Sequence, residues 1–73
     1  MTELHDRLRT LVDYWIDHNQ EHEEEMRQWA GKAAPLGPQV AEALQMAATK
    51  LAEATTCLER ARDVLHEAPH QSG

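Results

Sequence analysis

Two stretches of apolar residues recur at alternating three- and four-residue steps, with one helix-breaking segment between them, and that pattern restricts the chain to a pair of long helices. In the first stretch Leu4, Leu8, Leu11, Trp15, His18, His22, Glu25 and Trp29 fall on one heptad row, apolar at both ends and polar in the middle. In the second, Val40, Leu44, Ala47, Leu51, Ala54, Leu58, Ala61, Leu65 and Ala68 do the same, alternating large and small side chains. Gly31, Pro35, Gly37 and Pro38 deny the chain a continuous helix between the two. No strand pattern, repeat array or low-complexity tract interrupts this arrangement.

Local signals set the boundaries. Thr2 is placed to cap the first helix, with Glu3 and Asp6 at the positive end of its dipole. Gly31 is expected to close it in the left-handed conformation, with Arg27 and Lys32 near the negative end. Pro38 has the fixed φ of a first helical turn. The spacing thus predicts a helix over about 3–30, a connector over 31–38, a second helix over about 39–68 stopped by Pro69, and a frayed polar tail over 69–73. A second row on the first helix, through Val12, Ile16, Asn19 and Met26, makes its apolar stripe wider than a two-stranded seam uses.

Folding the connector back gives a single all-α domain, an antiparallel two-helix hairpin. Counting from the turn brings Trp29 level with Val40, His22 with Ala47, His18 with Leu51 and Trp15 with Ala54. A 73-residue chain buries too little surface to be stable without a staple. Cys57 is the only cysteine, so no disulfide can form within the chain, and a metal or a partner chain remains. Two helices cannot cover both broad stripes, so the expectation is a homodimeric four-helix bundle with two-fold symmetry. The partner is then a second copy of the chain, or else a larger protein on which the hairpin docks.

The net charge of -6 argues against nucleic acid and anionic membrane as partners, because both reward a basic face. No apolar run approaches the roughly 20 residues that span a bilayer. Glu3, His5 and Asp6 stand where a signal peptide would have its apolar core, and a lone thiol suits a reducing compartment, so a cytoplasmic location is expected.

The residues suited to chemistry lie in the polar interruption of the first row. His18 and His22 are four residues apart, so on a helix their imidazoles share a face and can converge on one ion. Glu25, three beyond His22, and Glu21, three beyond His18, can each add an oxygen ligand. Two copies related by a two-fold axis would complete a closed site, and imidazole with carboxylate suits zinc, nickel, copper or iron. The competing reading is a polar layer that sets register and partner number without binding anything. A buried histidine pair can also open a dimer as both rings become charged.

Other residues weigh less. Glu23 and Glu24 are expected on a solvated face, Trp15 and Trp29 as core aromatics on either side of the polar segment, and Cys57 as a small buried apolar residue. His5 and His66, with Asp6 beside them, can meet at the open end of the hairpin. Catalysis finds little support. There is no glycine-rich phosphate loop, and Asn19 stands where a metal hydrolase carries the general-base Glu after its first His. Trp15 and Asn19 occupy the positions three before His18 and His22 where ferritin-like proteins carry Glu.

The run Trp15-Ile16-x-His18-Asn19-x-Glu21-His22, followed by Trp29-Ala30 and an Ala-rich second helix, resembles small uncharacterised prokaryotic helical-hairpin proteins. That resemblance covers most of the chain and implies that His18, Asn19 and His22 belong to one unit. The leading functional expectation is a non-enzymatic bundle that holds, delivers or senses a divalent transition metal. The alternative is a structural module for dimerisation or protein interaction.

Overall fold

A computed structural model describes the backbone of residues 2–71 and the side chains up to residue 67. Helix α1 runs Glu3–Lys32, a single 3-10 turn follows at Ala34–Leu36, and helix α2 runs Pro38–Gln71. The described residues are all-helical and contain no strand. The Thr2 hydroxyl accepts a hydrogen bond from the His5 backbone N–H at 3.0 Å, which satisfies one of the donors a helix leaves unpaired at its start. Pro38 is the first residue of α2.

The turn is built differently from the expectation. Gly31 is an ordinary helical residue, and α1 continues past it to a cap at Ala33, whose N–H bonds the Trp29 carbonyl at 2.8 Å. The 3-10 turn then takes up the chain, with Leu36 N–H on the Ala33 carbonyl and Gly37 N–H on that of Ala34. Left-handed freedom is needed only at Gly37, at φ 110 and ψ 157. That region is essentially closed to residues with a Cβ.

The helices lie side by side in a slab of 58 × 16 × 12 Å. The slab is one layer of helices thick, so side chains are enclosed only along the line between the two helices. Accordingly, no large side chain is fully buried among the described residues, and the core is the line where α1 meets α2.

That line corrects the expected seam. On α1 it runs through His5, Val12, Ile16, Asn19, Glu23, Met26, Ala30 and Ala33, each one residue beyond a member of the row through Leu4 and Trp15, apart from the cap residue Ala33. On α2 it runs through Ala41, Leu44, Ala48, Leu51, Thr55, Leu58, Arg62 and Leu65, which keeps the leucines but replaces Val40, Ala47, Ala54 and Ala61. Ala30, Ala33, Ala48 and Thr55 are buried there, and such small groups let two backbones approach. The bulkier Leu4, Leu8, Leu11, Trp15 and Trp29 would hold them apart, and all five are exposed. Ala68 and the tail from Pro69 onward lie outside the described side chains.

Polar clasps tie the two helices along the seam. Near the turn, Arg27 bonds Glu23 through Nε at 3.1 Å and donates from Nη1 to Gln45 Oε1 at 3.1 Å. Arg62 Nη1 stands 3.7 Å from Asp13 Oδ1. Glu23 therefore sits in the seam with a partner on its own helix, rather than on a solvated face.

At the open end His5 Nε2 donates to the Leu65 carbonyl at 2.8 Å. The reason lies four residues further on: Pro69 has no N–H, so it cannot complete the helical bond to Leu65. The expected stop at Pro69 is thereby passed, because a side chain from α1 supplies the missing donor and α2 continues to Gln71. Replacing His5 by Ala should cost about 1 kcal/mol by orphaning that carbonyl, and His5→Gln, which keeps a donor, should recover part of it. Urea unfolding followed by circular dichroism measures both; equal midpoints for wild type and His5→Ala would contradict the assignment.

Candidate functional site

Apart from Leu8, every residue of the row Leu4, Leu8, Leu11, Trp15, His18, His22, Glu25 and Trp29 stands one position before a residue of α1 that lies in the seam. Val40, Ala47, Ala54 and Ala61 stand one position before residues of α2 that do so. One residue is a turn of about 100° around a helix axis. Because α1 and α2 run in opposite directions, that offset turns both rows towards the same broad face of the slab. Rows expected to face each other therefore lie side by side, large side chains on α1 and small ones on α2.

This face is apolar and open. Leu4 is 74 % exposed, Trp15 40 % and Trp29 57 %, so neither tryptophan is a core residue of the hairpin itself. Lys32 Nζ lies 4.6 Å from the centre of the Trp29 ring. Shallow grooves flank the leucines, one lined by Glu3, Leu4, Arg7, Leu8 and Leu11, the other by Asp6, Arg7, Thr10 and Leu11. Grooves beside a ridge of side chains are what a facing helix fills.

His18 and His22 occupy the middle of the ridge. Their Nε2 atoms stand 3.0 Å apart, with the rings edge to face at a centroid distance of 4.4 Å. Tyr14, one turn before His18, stacks on its ring at 5.4 Å and 15°. On the opposite side of His22, Nδ1 lies 3.4 Å from Glu25 Oε1. A carboxylate there favours a proton on Nδ1, which leaves the Nε2 lone pair of His22 turned towards His18. One of the two Nε2 atoms carries the proton between the rings.

The arrangement separates the expected ligands. His18 and His22 converge. Glu25 approaches the outer nitrogen of His22, the position of a group that orients a ligand rather than binds beside it. Glu21 is exposed and forms no ion pair among the described residues. No group of three or more His, Cys, Asp or Glu side chains is placed to hold a metal among those residues, so one hairpin offers two imidazoles.

His5 and His66 do not form a second site: His5 is committed to the Leu65 carbonyl, and His66 is exposed. Cys57 is also exposed, because it lies two positions from Thr55 and turns away from the seam. Sequence reasoning missed the stack of Tyr14 on His18 and the His5 cap. The signals were there: an aromatic four residues before the histidine, and a proline four residues after a carbonyl.

A family model described as a domain of unknown function, DUF8180, matches residues 8–65. The chain belongs to the DUF8180 family. The match covers Trp15, His18, His22 and Trp29, while His5 and Pro69 fall outside it. An uncharacterised protein from Archaeoglobus fulgidus is 32 % identical over 60 residues, which are 82 % of this chain and 97 % of that protein. A hairpin-sized segment thus accounts for nearly all of this DUF8180 chain's archaeal relative. No solved structure matches. None of the described helices is long and apolar enough to cross a membrane.

Proposed function

We propose that this DUF8180 hairpin is a self-association module, two copies of which stack their apolar faces into a four-helix bundle. The observation that carries this reading is the uncovered ridge. The chain exposes 5530 Å², whereas a compact monomer of its 8.3 kDa mass exposes about 4,600 Å². The surplus of about 900 Å² is close to the roughly 800 Å² that each partner buries in a stable interface. The shape is likewise extended, with a radius of gyration of 16.7 Å against about 11 Å for a compact domain of this length.

The size difference between the two rows selects the pairing. A two-fold axis running along the hairpin sets the bulky row of each α1 over the alanine row of the partner's α2, so that large meets small at each level. An axis across the hairpin would instead set Leu and Trp against themselves and leave alanine facing alanine. The family of such modules needs no catalytic group, and a second copy needs no charge of opposite sign at the face.

Sedimentation equilibrium in the presence of EDTA, at tens of micromolar chain, tests the proposal. The expected mass is twice 8.3 kDa. Leu8→Glu combined with Trp15→Glu should return a helical monomer, because both changes place charge on the buried face and leave the seam untouched. A wild-type monomer with a cooperative melt would overturn the proposal and favour docking on a different protein.

A further inference from the structure

We propose that the paired hairpins bind one divalent transition-metal ion between them, held by His18 and His22 of both copies, with Glu25 orienting His22 from behind. The inference rests on the pairing proposed above, since one chain provides only half of the ligands. Three observations and the symmetry of the proposed pairing support it. The two Nε2 atoms already converge, at 3.0 Å. Two nitrogens about 2.0–2.1 Å from a tetrahedral zinc stand about 3.3–3.4 Å apart, and at a right-angled nickel or copper centre about 2.9 Å, so the spacing fits an ion to within a few tenths of an ångström once the proton between the rings has moved to the outer nitrogen or to solvent and both lone pairs turn to the ion.

Both rings are also held from outside the pair. Tyr14 stacks on His18, and Glu25 lies 3.4 Å from His22 Nδ1. Carboxylate on the outer nitrogen fixes the tautomer that presents Nε2 to a metal, the arrangement that ligating histidines favour. Third, the pair interrupts the ridge that the second copy would cover, with Trp15 on one side and Trp29 on the other. Stacking the copies would remove water from around the imidazoles, and an ion would supply the partners that water otherwise gives. Fourth, an axis running along the hairpin keeps each residue level with its symmetry mate. The two pairs then lie at one height on diagonally opposed α1 helices, and with their rings leaning inwards from the partner's alanine row to the axis, four imidazoles make a closed site for zinc, nickel or copper without cysteine.

The test is a titration of EDTA-stripped protein with cobalt(II) chloride, read by visible absorption, with sedimentation run on the same samples with and without the metal. The expected result is a dimer in both conditions, with intense tetrahedral cobalt bands that saturate at one ion per two chains. Those bands should be absent in His18→Gln with His22→Gln, whose circular dichroism and mass should stay those of the wild type. Glu25→Gln should keep the bands and weaken cobalt binding by about 10–100-fold, as loss of an orienting group does.

A dimer that gives no saturable bands overturns the metal site and leaves the pairing standing. Saturation at one ion per chain overturns the shared site. A monomer that becomes a dimer only with cobalt, at one ion per two chains, supports the site and overturns pairing by the apolar face alone. A monomer in both conditions overturns both.

Discussion

Ile16→Ala is expected to remove about half or more of the hairpin's folding stability. Ile16 is 3 % exposed and, with Val12, is the largest side chain buried in the seam. Truncating a buried isoleucine costs about 2–5 kcal/mol, and a core of this size supplies no more than roughly 3–5 kcal/mol in total. A thin slab can close part of the cavity by letting its helices approach, which favours the lower half of that range. The control is Leu36→Ala, since Leu36 is 76 % exposed beside the turn and its truncation should change stability by less than about 0.5 kcal/mol. Urea unfolding followed by circular dichroism separates the two, and similar losses at both positions would mean that the seam has been misidentified.

The second large effect is a pair of glycine substitutions with opposite signs. Neither Gly31 nor Gly37 has an atom within 4 Å of where a Cβ would stand, so steric contact decides neither outcome. Backbone conformation does. Gly37 sits at φ 110 and ψ 157, and Gly37→Ala should cost about 1–3 kcal/mol in strain. Gly31 lies within the last turns of α1, and Gly31→Ala should gain up to about 1 kcal/mol by restricting the unfolded chain and favouring the helix. At about 4–8 °C per kcal/mol for a domain of this size, thermal melts should move several degrees apart in opposite directions. A stabilised Gly37→Ala, or a destabilised Gly31→Ala, would contradict this turn geometry.

How the candidate site could be read from sequence depended on the kind of information required. The four-residue spacing of His18 and His22 on a helix was enough to put both rings on one face. It could not say that their Nε2 atoms would converge, or that Glu25 would approach the far nitrogen of His22, because those are choices among side-chain rotamers. Nor could it separate Glu21 from Glu25, each three residues beyond a histidine. The cap of His5 on Leu65 joins positions 60 residues apart, a contact that follows from the fold.

Taken alone, the sequence determined the two helices, the capping at Thr2, the start of α2 at Pro38, and the direction in which the chain turns back. Those features follow from periodicity and from the local chemistry of Thr, Gly and Pro. Only the tertiary structure decided how each helix is rotated about its axis. On α1 two neighbouring rows are rich in apolar residues, and periodicity weighs them almost equally although they differ by a turn of about 100°. Packing chose between them by size. Near the turn Ala30 and Ala33 admit a close neighbour and Trp29 does not; the same rotation carries Val12 and Ile16 into the seam and leaves the leucines and tryptophans of α1, with the histidine pair, on the open face.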